Sequence, residues 1–147
     1  MKKRIILIVL LLFVITGCNS NQFDIGEKSK IIVTKKDVIL KVKEGSLKPT
    51  EATFILKNNS DVDIQYGVPY ELEIKKDGVW HSINVEISFI LPAYILKAKE
   101  EREIKLNWEN SYGVLAKGEY RMIKDYSVEN DNGYYDSFFV AVEFEIK

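Results

Sequence analysis

Apolar and polar side chains alternate with a period of two through much of this chain, and no other feature restricts its fold as strongly. Tyr70, Leu72 and Ile74 interleave with Glu71, Glu73 and Lys75. Phe138, Val140, Val142, Phe144 and Ile146 form a longer run with Glu143 and Glu145 on its other side. Successive side chains of a strand point to opposite faces, so the pattern describes strands with one face in a core and one in water. Val38, Leu40 and Val42 repeat it, as do Ala52, Phe54 and Leu56, and Ile104, Leu106 and Trp108. Turn formers separate the runs: Asn58-Asn59-Ser60-Asp61, Asp77-Gly78 and Asn132-Gly133. The last two are the dipeptides that suit tight hairpins. Pro92 interrupts Phe89–Leu96, which predicts an edge or bulged strand there. No segment carries a clear amphipathic helical period. The expected fold is all-β, an antiparallel β-sandwich of about seven or eight strands occupying residues 31–147.

The first residues follow another pattern. Lys2, Lys3 and Arg4 precede an unbroken apolar run of 11 residues from Ile5 to Ile15. A spanning helix needs about 20 residues, whereas this length suits the apolar region of an export signal. Ile15-Thr16-Gly17-Cys18 resembles a lipobox, in which small residues let the backbone enter a signal peptidase groove ahead of an acylated Cys. The reading is a lipoprotein signal peptide over residues 1–17, cleaved so that Cys18 becomes a lipidated N-terminus. Residues 18–30, polar and rich in Ser, Asn and Lys, then form a tether. The domain is expected on the outer face of the cytoplasmic membrane, held by a lipid anchor on Cys18. Cys18 is the only cysteine, so acylation accounts for it and the sandwich has no disulfide to lean on. Without Lys2, Lys3 and Arg4, 18 basic residues face 22 acidic ones, and the formal charge moves from −1 to −4. That balance argues against nucleic acid as a partner, because such binding neutralises phosphates with Lys and Arg.

Leu115-x-x-Gly118-x-Tyr120 predicts a tyrosine corner, with the Tyr120 hydroxyl turned back onto the backbone of the preceding bend. Gly118 would permit the close approach, and Leu115 would close that end of the core. Together with Phe54-x-Leu56-x-Asn58-Asn59, Tyr66-Gly67-x-x-Tyr70-x-Leu72-x-Ile74, Asp77-Gly78-x-Trp80, Trp108-x-x-x-Tyr112-Gly113-x-Leu115 and Gly118-x-Tyr120-Arg121, the stretch from Ala52 to Lys124 resembles the bacterial Ig-like domains of Gram-positive lipoproteins. The resemblance covers roughly half of the chain. It implies an immunoglobulin-like antiparallel sandwich attached to the cell surface, and no catalytic residues. The missing inter-sheet disulfide departs from antibody domains.

No constellation of reactive groups emerges. His81 is the only histidine and reads as an exposed strand residue, and no G-x-S-x-G elbow occurs. No catalytic, cofactor-binding or metal-binding residues are expected. Glu129-Asn130-Asp131-Asn132-Gly133 with Asp136 lacks calcium-loop spacing and reads as a solvated hairpin loop. Glu71 and Glu73 are expected on an outward, solvated face. Arg121 is expected to pair with Asp125, Glu119 or loop carbonyls. Tyr134 and Tyr135 lie just beyond the Asn132-Gly133 turn, where aromatic side chains serve as binding anchors at low entropic cost. The expected function is a lipid-tethered, non-enzymatic module that binds a protein, or less readily a cell-wall polymer. The competing reading is a proteinase-inhibitor-like domain.

Overall fold

The computed structural model describes residues 23–33, 37–88 and 92–147. The expected signal peptide, Cys18, the first tether residues and positions 89–91 of the run interrupted by Pro92 lie outside that set. The chain order is β1 (Asp24–Lys28), β2 (Val38–Val42), β3 (Glu51–Asn58), β4 (Ile64–Tyr66), β5 (Glu71–Lys76), β6 (Val79–Asn84), β7 (Tyr94–Leu96), β8 (Glu101–Asn107), α1 (Glu109–Tyr112), β9 (Gly118–Glu129) and β10 (Tyr135–Ile146).

These strands form two antiparallel sheets. The smaller runs β2-β3-β8. The larger is organised by β9: its first half pairs with β5, Ser127 near its end pairs with Gln65 of β4, and its other edge pairs with β10 from Gly118 to Glu129. Beyond β5 lie β6 and β1, and beyond β4 lies β7. The strand runs read from the alternation appear as β2, β3, β5, β8 and β10. In β3 buried residues alternate without exception with half-buried ones. Asp77 (φ 51°) and Gly78 (φ 77°) form the two-residue turn between β5 and β6, both in the left-handed conformation that such a turn demands.

The described residues hold ten strands, more than the seven or eight expected. Two causes account for the difference. β4 is only three residues long, too short to give an alternating run, and is held by pairing with β7 and β9. Part of the expected tether is also a strand: β1 pairs with β6 through Asp24↔Asn84 and Lys28↔His81. Its polar, glycine-containing sequence gives no alternating signal, and the open edge of β6 supplies the partner.

The core lies between the sheets. Phe54, Leu56 and Trp108 meet Leu72, Ile74, Tyr120, Met122 and Phe144. Phe144 is the aromatic hub, with ring centres of Tyr120 at 5.9 Å, Trp108 at 6.1 Å and Phe54 at 6.3 Å. Asn58, at the end of β3, is fully buried. Its amide donates to the carbonyls of Val62 (2.8 Å) and Lys97 (3.1 Å), and its oxygen accepts the Ser60 N–H (3.0 Å). The turn signal at Asn58-Asn59 therefore marks a polar staple between two loops.

Candidate functional site

The β9–β10 hairpin projects past the rest of the larger sheet. Tyr134 is 73% and Tyr135 49% exposed. Asn130 organises the loop between them and β9. Its side-chain oxygen accepts the N–H groups of Asn132 and Tyr134, both at 3.1 Å. Its own N–H donates to the Tyr134 carbonyl at 2.7 Å, and its carbonyl accepts the Gly133 N–H at 2.9 Å. Gly133 adopts φ 77°, where a side chain would be strained. The loop is thus held in one conformation by its own hydrogen bonds.

The hairpin does not stand alone. The Tyr135 hydroxyl accepts a hydrogen bond from Gln65 Nε2 at 3.1 Å, which ties it to β4. Tyr135, Gln65, Ile95, Glu129 and Asp63 surround a small hollow of about 160 Å³, and Ile95 is 54% exposed. Tyr135 therefore shares a surface with β7, an apolar patch with hydrogen-bonding groups at its edge. Sequence alone singles out the tyrosines and reads Asn130 only as part of a solvated loop; the loop-holding role of Asn130 and the nearness of Ile95 are seen in the structure. An asparagine three residues before a positive-φ glycine signals the first. The second depends on the order of strands.

Leu115, Gly118 and Tyr120 stand at another end of the sandwich. The Tyr120 hydroxyl donates to the Ala116 carbonyl at 2.9 Å, and Leu115 is buried. Burial of the ring pushes the phenol up to about 12. Gly118 differs from expectation: a Cβ placed there would lie 3.5 Å from the Tyr120 ring, an ordinary contact, and it carries no positive φ. Tyr120→Phe is expected to cost about 1 kcal/mol, the worth of one hydrogen bond. Gly118→Ala should cost less than about 1 kcal/mol. Urea titrations of the two variants separate a corner held by the hydroxyl from one held by the glycine.

Arg121 and Glu73 also depart from expectation. Glu73 is 2% exposed rather than solvated, and the Arg121 guanidinium reaches its carboxylate at 2.6 Å. Arg121 also donates to Ser29 Oγ at 3.0 Å and lies 4.9 Å from the centre of the Trp80 ring. The expected partners sit on the wrong side of the geometry. Glu119 and Asp125 lie two and four positions along the same strand, nearly 7 Å and about 13 Å away, whereas Glu73 is directly opposite Arg121 on β5. Glu119 pairs instead with Lys75 at 3.3 Å. Glu71 is exposed, and its carboxyl is raised by partial burial and then by Glu73 and Asp125 nearby. His81 is half-buried, with Nδ1 3.2 Å from the Gly26 carbonyl oxygen.

The two-sheet architecture and the Tyr120 corner accompany a further finding. A family model described as a bacterial Ig-like domain matches residues 34–145, well over half of the chain. The chain belongs to the bacterial Ig-like domain family. A search of curated proteins gives no match. The Ig-like domain thus carries β2 to β10, while β1 precedes the matched region. The aromatic hairpin and the Arg121–Glu73 pair both lie within the matched region.

Proposed function

We propose that this Ig-like domain is a non-catalytic binding module held on the outer face of the cytoplasmic membrane by a lipid on Cys18. It engages a protein partner through the β9–β10 hairpin. The observation that carries the binding role is the pair Tyr134 and Tyr135, exposed on a loop already ordered by Asn130. Large rigid aromatics beside a small hollow supply the contact area that protein recognition uses. The anchor rests on the sequence from Lys2 to Cys18.

The test is cross-linking in intact cells with the tagged full chain as bait. A partner captured by the unaltered protein and lost by Tyr134→Ala/Tyr135→Ala supports the reading. Asn130→Ala is expected to weaken capture as well, although both tyrosines remain, because the loop must then be ordered on binding. Equal capture by all three proteins removes the hairpin from the site.

The runner-up is a proteinase-inhibitor-like domain, favoured only by the protruding hairpin. Inhibition of a panel of secreted proteases that disappears with the double tyrosine variant would favour it.

A further inference from the structure

We propose that the cleft between β8 and the β4–β7 side of the sandwich binds a small apolar carboxylic acid, with Lys124 receiving its carboxylate. This site is separate from the tyrosine hairpin.

The cleft follows from strand order. β8 is an edge of the smaller sheet. Its residues Ile104 and Leu106 lie opposite Phe54 and Ala52 of β3 and remain half-buried, since no further strand flanks them. Across the gap stand Tyr66 and Tyr94, with ring centres 5.5 Å apart. The open cleft has a volume of about 280 Å³. That lies just below the roughly 300–1,000 Å³ of drug-sized sites, so a fragment-sized molecule fits.

Charge selects the ligand. Lys124, on β9, lines the cleft although it is only 2% exposed. Its ammonium donates to the carbonyls of Gly67 and Pro69 and lies 5.3 Å from the centre of the Tyr66 ring. An ammonium has three donors, so two carbonyls leave one for a ligand oxygen. Among the described residues no carboxylate pairs with Lys124 or with Arg102. Burial pulls the Lys124 amine down to about 8, and the Asp125 carboxylate nearby offsets part of that fall. Arg102 and Lys105 add two more cations to the lining. Glu103, its one acidic residue, is engaged by Lys43 at 2.7 Å. In a chain of formal charge −1, three cations against one engaged carboxylate leave the lining of this cleft net positive, with Asp125 acting on Lys124 and Glu51 on Lys105 from outside it. A carboxylate on an apolar body complements both properties.

The probe is 4-fluorophenylacetate, followed by fluorine NMR line broadening with the full chain in lipid nanodiscs. Empty nanodiscs correct for partition, and 4-fluorophenylacetamide is the uncharged control. Saturable broadening by the acid and not the amide is expected, weakened about tenfold or more by Lys124→Met. Arg102→Gln, at an exposed position, should weaken binding without disturbing the fold, and it decides the matter if Lys124→Met does not fold. Equal broadening by acid and amide, acid binding unchanged in the variants, or no broadening beyond empty nanodiscs would each overturn the proposal.

Discussion

Glu73→Ala is expected to lower the unfolding free energy by about 3–5 kcal/mol, the usual consequence of removing one partner from a buried ion pair. The carboxylate is 2% and the guanidinium 11% exposed, so the Arg121 charge left behind cannot recover its hydration by moving a short distance. The loss is not the worth of the pair. Two charges taken from water into a sheet face cost several kcal/mol, which their attraction only roughly returns. A second variant makes this visible. Glu73→Leu combined with Arg121→Met keeps apolar volume under Ser29 and against Trp80, and it is expected to recover most of the stability lost by Glu73→Ala. Urea unfolding of the two variants is the measurement. A cost below about 1 kcal/mol for Glu73→Ala is the value expected of an exposed pair, and would mean that Glu73 is solvated after all.

Trp108→Ala is expected to cost about as much, roughly 3–5 kcal/mol, by a different route. Trp108 is fully buried where β8 ends and α1 begins. Its ring lies 6.1 Å from Phe144 and 6.4 Å from Phe54. Truncation leaves a void between the sheets that close packing cannot readily fill. It also removes the hydrogen bond from the indole N–H to the Pro49 carbonyl at 2.8 Å, leaving that carbonyl with the Leu115 N–H at 2.9 Å. Trp108→Phe separates the two terms: it keeps most of the volume and loses the hydrogen bond, so about 1–2 kcal/mol is expected. If both substitutions cost the same in urea unfolding, cavity formation is not the dominant effect.

The parts of this structure that were legible in the sequence are those specified locally. The alternation in Ala52–Leu56 and Phe138–Ile146 shows which side of each strand is buried, whatever lies beside it. Asp77-Gly78 and Asn132-Gly133 mark turns because each turn depends on the backbone of its own residues. Contacts across strands were not legible. Arg121 meets Glu73 across 48 positions of sequence, and Ser29 completes the clasp from a segment that reads as a polar tether. β1 was missed for the same reason, since the free edge of β6 recruits it rather than any pattern of its own. At the hairpin, sequence supplied Tyr134 and Tyr135 as exposed aromatics. The nearness of Ile95 and Gln65 required the β9–β4–β7 order, which no local pattern encodes. Lys124 is the clearest case. It sits among Met122, Ile123 and Tyr126 as a charged residue that alternation places facing inward, and only the Gly67 and Pro69 carbonyls explain how it is held there.

The proposed lipid anchor on Cys18 is most directly tested by mass spectrometry of the N-terminal peptide from protein extracted from bacterial membranes. The expected result is a chain that begins at Cys18 and carries acyl groups, with Cys18→Ala shifting the domain out of the membrane fraction. A mature chain that begins elsewhere, or that begins at Cys18 with an unmodified thiol, would contradict the proposed anchor.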